Sequence, residues 1–389
     1  RSAKPDPSTK RMPLSPEVST CEICRMLNGR TSIARSGHGT LRCLPFCGRD
    51  LKGSCMPDDS LIEARKLRKY FPVSTGHISS LFSKKRQYVR AVDDVSFIIG
   101  KTETLGLAGE SGSGKTTTGR LLVRLIEPTE GAVYIRGKDL MTLKGNELKS
   151  MRRSFQIIFQ DPYESLNPGM TIYDAVEEPL AIHGVGPSPS DRQALVKEAL
   201  ELSQLVPPEE FFYRYPHELS GGQRQRVCIA RALVLRPEFI VTDEPVSSLD
   251  VSTRAQILNL LKDLQAQLGV SYLYISHDLG SVRYVTHRVA VMYLGKIVES
   301  AESNEFFENP LHPYANALMA AVPIPDPSTR RERIALAGEI PSPTNPPTGC
   351  RFHPRCPRAM RICKEKEPDL KDAGSGHLVA CFLYHSFAK

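Results

Sequence analysis

The sequence predicts an α/β fold: a mixed, largely parallel sheet, a helical subdomain and a cysteine-rich C-terminal extension. Three observations support this prediction. Strand-like and helical segments alternate between residues 61 and 300. The apolar strand TETLGLAG runs into a glycine-rich turn and then into the helix TTTGRLLVRLI. From about residue 170 to 236 the apolar residues recur with helical periodicity.

The predicted elements follow in order from Leu61. Two strands come first, LIEARKLRKYFPV and YVRAVDDVSFIIG, separated by a polar, basic insertion at about 74–90 that is expected to be a loop or hairpin. The strands GAVYIRG and RRSFQIIFQD follow the first helix. Three predicted helices come next: YDAVEEPLAIHG, DRQALVKEALELSQL and GGQRQRVCIARALVL. They are followed by three more predicted strand segments: FIVTDEP, SYLYISHD and HRVAVMYLGKIVES. We therefore expect one main α/β domain at 56–308, with its helical subdomain at about 161–236.

Charge and cysteine are concentrated at the two ends of the chain. The 389 residues carry a net charge of +8, but residues 1–55 hold +6 and residues 350–389 hold +4. The intervening segment has a net charge of −2 and one of the ten cysteines. This near-neutral body does not favour a specific nucleic-acid partner. No stretch approaches the roughly 20 apolar residues of a membrane span.

The segment from Gly109 to Thr116, GESGSGKT, is a phosphate-binding loop (the phosphate loop) between a predicted strand and a predicted helix. Glycines let successive backbone N–H groups face phosphate oxygens at the helix N-terminus. A glycine-rich turn without a ligand is the alternative. Lys115 is expected to reach the β- and γ-phosphates of ATP, and Thr116 and Asp243 to hold Mg²⁺. The predicted ligand-binding residues of this loop are Gly109, Ser111, Gly112, Ser113, Gly114, Lys115, Thr116 and Thr117.

A second motif, LSGGQ at Leu219–Gln223 (the signature segment), opens the last predicted helix of the subdomain. It resembles the signature motif of ABC-type ATPases. Its serine hydroxyl, glycine N–H groups and helix N-terminus form another anion site. In that family two ATPase domains pack head to tail, so that each ATP lies between one phosphate loop and the other subunit's signature. The predicted nucleotide contacts are Ser220, Gly221, Gly222 and Gln223; an ordinary helix N-cap at Ser220 is the alternative.

The remaining family elements follow in the family's order. Glu244 resembles the carboxylate that polarises the attacking water, and His277 the switch histidine at the γ-phosphate. Gln160 resembles the glutamine that ligates Mg²⁺ and touches the membrane subunits. Asp250 resembles the aspartate that crosses to the partner's site. Tyr70 is expected to stack on adenine, with Phe71 as a weaker candidate. Because Glu244 and His277 are both present, the resemblance implies ATP hydrolysis.

The C-terminal segment resembles the extension of oligopeptide/dipeptide-type importer ATPases. The motifs that carry this resemblance are Asn309-Pro-Leu-His312-Pro313-Tyr314, PIPDP and FHPRC. The resemblance covers about residues 60–389. It implies a paralogous ABC ATPase subunit as partner, two transmembrane permease subunits and an extracytoplasmic peptide-binding protein. The chain would then lie peripherally on the cytoplasmic face of the membrane. Import of nickel or another small solute, or a soluble non-transport ABC ATPase, are the alternatives.

The extension at 309–389 contains four closely spaced cysteines, Cys350-x5-Cys356-x6-Cys363-x17-Cys381. An ATPase body implies a reducing cytosol, which argues against stable disulfides between these cysteines. The resemblance implies a 4Fe–4S cluster, and four thiolates are suitable ligands for such a cluster. Zinc and free thiols are the alternatives.

At the other end, Cys21-x2-Cys24 and Cys43-x3-Cys47 match a zinc-ribbon spacing. The 1–55 extension is nevertheless expected to be a disordered basic tail, with Met56 as an alternative start.

Overall fold

The computed structural model describes residues 60–73, 87–322 and 338–384. The predicted tail at 1–55, with its two cysteine pairs, and nearly all of the insertion at about 74–90 lie outside the described residues.

A four-stranded antiparallel sheet holds the first strands of the chain. Its strands are β1 (Ser60–Pro72), β2 (Tyr88–Gly100), β4 (Glu130–Ile135) and β5 (Lys138–Asp139), in the spatial order β2-β1-β4-β5. The sequence did not indicate that these strands form a sheet of their own. Their inward-facing residues, such as Ile62, Val95 and Ile99, are fully buried, so the sheet packs through one apolar face.

An eight-stranded mixed sheet forms the centre of the molecule. Its strands are β3 (Thr104–Ala108), β6 (Phe155–Ile158), β7 (Phe239–Asp243), β8 (Ser271–Ser276), β9 (Arg288–Tyr293), β10 (Lys296–Glu302), β11 (Lys371–Asp372) and β12 (Leu378–Val379). The spatial order is β11-β12-β10-β9-β3-β8-β7-β6, and the last five strands of this order are parallel. This confirms the predicted largely parallel sheet. Every residue of β3, β7 and β8 is buried, as expected where both faces of a sheet are covered.

Helices connect the strands and cover the central sheet. Helix α1 (Lys115–Leu122) follows β3, and α2 (Gly145–Met151) precedes β6. Between β6 and β7 lie α3 (Pro162–Ser165), α4 (Ile172–His183), α5 (Pro189–Leu202), α6 (Glu209–Phe212), a 3₁₀ turn at Pro216–Glu218 and α7 (Gly221–Leu233). The later helices are α8 (Val251–Leu268), α9 (Leu279–Val285), α10 (Ser303–Glu308), α11 (Pro313–Ala320) and α12 (Arg361–Glu365), with a second 3₁₀ turn at His353–Arg355.

The helices between β6 and β7 begin where the sequence provides caps. Thr171 and Asp174 form a reciprocal capping box at α4, and Ser188 and Asp191 form another at α5. The apolar face of α7, which includes Val227 and Ile229, is buried in the larger of two hydrophobic cores. Among the described residues, no helix has the length and apolar character needed to cross a membrane.

Topology determines where the candidate site lies. The parallel strands β3 and β7 both end at the same edge of the central sheet, one at Ala108 before the phosphate loop and the other at Asp243. The C-terminal extension is also attached to this sheet, because β12 pairs with β10. Its Phe352 is almost completely buried in the larger core.

Candidate active site

The phosphate loop curls between the end of β3 and the first residue of α1. Gly109, Gly112 and Gly114 have φ angles of 151°, 76° and 106°, values that favour glycine. A Cβ at Gly114 would lie 2.1 Å from the carbonyl oxygen of Ala91, and one at Gly109 would lie 2.3 Å from that of Met292. Space as well as backbone conformation therefore excludes side chains at these two positions.

Lys115 lies inside this loop with its ammonium group buried. Its Nζ donates to the carbonyl oxygens of Gly109 at 2.8 Å and Glu110 at 2.9 Å. Desolvation lowers the pKa of Lys115, while the negative charges of Glu244, Asp243 and Glu110 oppose that shift. The lysine is thus placed at the loop before any phosphate arrives. Of the other predicted contacts, Ser113 is buried, Thr117 is half-buried, and Ser111 is exposed.

Thr116 and Asp243 form a pair of hard oxygen donors at the first turn of α1. The Thr116 hydroxyl donates to Asp243 Oδ1 at 2.9 Å, and Asp243 is almost fully buried at the end of β7. Burial raises the pKa of Asp243, although the Thr116 hydrogen bond and Arg120 oppose this. A hydroxyl beside a carboxylate fits the oxygen preference of Mg²⁺.

Glu244, Gln160 and His277 converge next to this pair. Gln160 Nε2 donates to Glu244 Oε2 at 3.2 Å, and His277 Nδ1 lies 3.0 Å from the same oxygen. Glu244 has a φ angle of 48°, and its N–H donates to the carbonyl oxygen of Ile275 at 2.9 Å. This unusual backbone conformation directs the carboxylate towards two side chains from other loops.

The signature segment and Asp250 begin neighbouring helices. Ser220 caps α7: its hydroxyl accepts from the N–H of Gln223, whose side chain accepts from the N–H of Ser220. Asp250 caps α8 and accepts hydrogen bonds from Ser252 and Thr253, which lower its pKa. Within the described parts of the chain, none of these side-chain hydrogen bonds joins either cap to the phosphate loop. The side chains of Ser220 and Gln223 thus make their described hydrogen bonds within the signature segment itself.

Tyr70, the predicted adenine-stacking residue, is held through its hydroxyl. This group donates to Asp93 Oδ1 at 2.6 Å, and the guanidinium of Arg90 lies 5.8 Å from the centre of the ring. Desolvation and the Asp93 contact raise the pKa of Tyr70 to about 12. Phe71 is more exposed and remains the weaker candidate.

The four C-terminal cysteines are free thiols, with Cys363 and Cys381 buried and Cys350 and Cys356 half-buried. The N–H of Cys350 donates to the carbonyl oxygen of Cys363 at 2.8 Å. Burial raises the pKa of Cys350 to about 12 and that of Cys381 to about 11, with further contributions from the neighbouring thiols. Across 60–73, 87–322 and 338–384, no group of three or more His, Cys, Asp or Glu side chains is arranged to hold a metal. Among the described residues, the four predicted cluster ligands are therefore not arranged as a metal site.

Sequence reasoning overlooked the contacts of Glu110, the second residue of the phosphate loop. Its N–H donates to the Tyr314 hydroxyl at 2.8 Å, and its carboxylate accepts two hydrogen bonds from Arg355 at 2.8 and 3.1 Å. Nearby, Arg351 donates to Asp93 and to the carbonyl oxygen of Leu294. The Glu110–Arg355 contact spans 245 positions, and no local pattern signals it.

Comparison with known protein families gives two matches along the chain. Residues 92–247 match the ABC transporter family. Residues 298–363 match the family described as oligopeptide/dipeptide transporter, C-terminal region. The first match contains the phosphate loop, the signature segment and Glu244, and the second contains Tyr314 and Arg355.

Individual relatives match over most of their length. The oligopeptide transport ATP-binding protein AppF of Bacillus subtilis is 50% identical over 84% of this chain and 98% of its own. A probable peptide ABC transporter ATP-binding protein of Sinorhizobium fredii is 49% identical over 84% of this chain and 90% of its own. Among solved structures, a dimeric ATP-binding cassette in a post-hydrolysis state with ADP and phosphate has a TM-score of 0.54 and 31% identity, and the match covers 62% of this chain and 99% of that one.

Proposed function

The chain belongs to the ATP-binding proteins of ABC transporters, and we propose that it hydrolyses ATP to power the import of oligopeptides or dipeptides. One structural observation carries the catalytic part: Glu244 meets Gln160 and His277 beside the Thr116–Asp243 pair and the phosphate loop. The peptide part rests on the matched C-terminal region and on relatives described as peptide transporters. Nickel or another small solute is the alternative cargo.

ATP binding is proposed to use the phosphate loop as a set of preorganised donors. The N–H groups from Gly109 to Thr117 and the Lys115 ammonium would surround the β- and γ-phosphates. Thr116 and Asp243 would hold Mg²⁺, which neutralises phosphate charge, and Gln160 would contribute its amide oxygen. The amide nitrogen of Gln160 is already committed to Glu244, which leaves that oxygen for the metal.

Hydrolysis would then depend on Glu244 and His277. The Glu244 carboxylate orients and polarises a water molecule for attack on the γ-phosphate. His277 and Lys115 stabilise the negative charge on the transferred phosphoryl group. His277 Nδ1 already lies 3.0 Å from Glu244 Oε2, so the two proposed catalytic side chains are neighbours in the structure.

We propose that the complete site needs a second ATPase subunit. The signature segment contributes Ser220, Gly221, Gly222 and Gln223 to the nucleotide on the partner, and Asp250 approaches the partner's site. Two observations support this. Ser220 and Asp250 cap their own helices and make no described hydrogen bond to the chain's own phosphate loop, and a related cassette is a dimer. A paralogous ATPase is the proposed partner, as expected of systems with two related subunits.

A surface groove next to Gln160 is the proposed docking site for the permease subunits. It has a volume of 250 Å³ and is lined by parts of β6, α4 and α7, including Phe159 and Ile182. Both of these side chains are at least one-third exposed. Because Phe159 precedes Gln160, a helix seated in the groove would be linked to Glu244 through one residue. In the proposed assembly the chain lies on the cytoplasmic face of the membrane, and an extracytoplasmic peptide-binding protein supplies the cargo.

Purification from native membranes, followed by reconstitution of the co-purified chains in proteoliposomes, tests this function. We expect Mg²⁺-dependent ATP hydrolysis and ATP-dependent uptake of labelled peptide, with neither in a Lys115→Ala preparation. Uptake of radioactive nickel without peptide uptake would support the alternative cargo. ATP hydrolysis without any co-purified membrane protein would contradict the transport proposal.

We also propose that the four C-terminal cysteines take up a 4Fe–4S cluster, with zinc as the rival. The hydrogen bond from the Cys350 N–H to the Cys363 carbonyl oxygen, 2.8 Å long, supports this, because it brings two of the four cysteines together. Anaerobic purification should give a brown protein whose visible absorbance disappears in Cys363→Ser. A colourless protein containing one zinc per chain would contradict the iron assignment.

A further inference from the structure

Glu110 of the phosphate loop is held from three directions, and two of these contacts come from the C-terminal extension. Its N–H donates to Tyr314 at 2.8 Å, and its carboxylate receives the two hydrogen bonds from Arg355. Its carbonyl oxygen accepts from Lys115 at 2.9 Å. The backbone direction of the loop's second residue is therefore determined partly by residues that lie more than 200 positions away.

Arg355 and Tyr314 are well placed to act as rigid supports. Both are buried, and the ring of Tyr314 packs against Tyr293 and Phe352 with centroid distances of 4.7 and 5.4 Å. The Arg355 guanidinium also lies over the Tyr293 ring at 5.9 Å. Bidentate pairing of a planar guanidinium with a carboxylate fixes geometry as well as charge. Because the loop is already fixed by these contacts, it loses little conformational entropy when phosphate binds.

The charge of Glu110 makes this pairing matter for ATP. Glu110 carries a negative charge in a loop whose ligand is a polyanion, and its field reaches the Lys115 ammonium. Without Arg355, the carboxylate would repel the phosphates and compete for the Lys115 charge. When Arg355 pairs with Glu110, its positive charge offsets the negative charge of the Glu110 carboxylate. The loop N–H groups and Lys115 then attract the phosphates without that repulsion.

We propose that Arg355, together with Tyr314, is a positioning residue that sets the affinity of the phosphate loop for ATP by holding and neutralising Glu110. The inference rests on the proposed ATPase function. It connects the cysteine-containing segment to the nucleotide site through Glu110, since Arg355 adjoins Cys356.

Four variants of the full chain test this: Arg355→Gln, Glu110→Gln, the double variant, and Tyr314→Phe. For each, the dissociation constant of a fluorescent ATP analogue, KM and kcat are measured. A charge of this kind near a ligand corresponds to about a tenfold change in affinity. We expect Arg355→Gln to raise Kd and KM about tenfold, with kcat at saturating ATP within about twofold of wild type. Glu110→Gln gives the reference value for the double variant, and the double variant should regain most of the affinity that Arg355→Gln loses.

Arg361→Gln is the matched control, because Arg361 lies in the same segment, is exposed and pairs only with Glu365 in the part of the chain described. It should leave Kd and KM unchanged. Wild-type Kd in a folded Arg355→Gln, or a double variant as weak as the single one, would overturn the proposal. If Arg355→Gln does not fold, Tyr314→Phe decides, since it removes one hydroxyl and should raise Kd about threefold.

Unchanged binding in Tyr314→Phe would contradict the inference. A wild-type chain that binds ATP but does not hydrolyse it would refute the proposed function and still leave the Kd comparison decisive.

Discussion

Glu244 combines an unfavourable backbone conformation with two polar side-chain contacts. A positive φ costs a non-glycine residue about 1 kcal/mol or more, and here the N–H to Ile275 and the contacts with Gln160 and His277 offset it. The carboxylate is therefore held at one place before the nucleotide binds. Such preorganisation is what a water-orienting group requires.

Replacing Glu244 by Gln keeps this shape and removes the charge that we propose polarises the attacking water. We expect ATP hydrolysis to fall at least about 100-fold, while ATP binding persists and an ATP-bound dimer accumulates. Steady-state hydrolysis and gel filtration with Mg·ATP measure the two effects. Glu308→Gln, at an exposed position at the end of α10, is the control and should retain wild-type turnover. Turnover near wild type in Glu244→Gln would exclude the assigned role.

Some residues of the site could be predicted because their signals are local. Lys115 and Thr116 lie in one contiguous loop, and Asp243 ends a recognisable apolar strand. The contacts among Gln160, Glu244 and His277 depend on three separate loops and entered only through family resemblance. Arg355 lies in the quoted FHPRC motif, but its contact with Glu110 gave no signal, because a basic residue in a basic tail resembles a solvated side chain until its partner is known.

At the scale of elements, the sequence predicted the parallel strands better than their neighbours. Continuous apolar runs identified β3, β7 and β8, since strands buried on both faces contain few polar residues. The separate sheet formed by β1, β2, β4 and β5 depends on pairing between distant strands, and periodicity contains no information about pairing. The two-residue strands β11 and β12 are too short for any periodic signal.

A buried contact between a histidine and a carboxylate holds the start of β12 against β10. His377 precedes β12, and its Nε2 lies 2.8 Å from Glu299 of β10, a carboxylate that also accepts the N–H groups of Leu311 and His312. Desolvation disfavours the charged imidazole. The hydrogen bond and charge of Glu299, with a smaller contribution from Glu305, outweigh it and raise the pKa of His377.

A pKa that is higher in the folded state makes stability depend on pH in a defined direction. The contribution of His377 to the free energy of unfolding should be complete below its unfolded pKa of about 6.5 and should disappear as pH rises through the higher folded value. We expect His377→Gln to destabilise the protein by about 1–2 kcal/mol at pH 6 and by less at pH 9. Thermal melts across this range measure it, with exposed His217→Gln as control. A wild-type to His377→Gln difference that grows with pH would contradict the assignment.

At the scale of the molecule, the described residues bring together one side of the proposed ATP site. One chain brings the phosphate loop together with four side chains from other parts of the sequence: Asp243, Gln160, Glu244 and His277. The side chains of Ser220 and Asp250 instead cap their own helices. An active site divided in this way makes nucleotide binding and dimerisation separate steps, so a substitution in the signature segment should affect only the second.

Ser220→Arg tests this separation when it is introduced together with Glu244→Gln, which preserves bound ATP. The arginine replaces a small hydroxyl at the α7 N-terminus, where its bulk and the positive end of the helix oppose close approach of a partner. We expect the double variant to bind ATP with the affinity of Glu244→Gln and to remain monomeric, whereas Glu244→Gln alone dimerises. Ser150→Arg, which adds the same side chain at an exposed position of α2, should still dimerise. Loss of ATP binding in the Ser220→Arg monomer would show that the signature segment serves its own phosphate loop, because only then could a change at α7 reach the nucleotide without a partner.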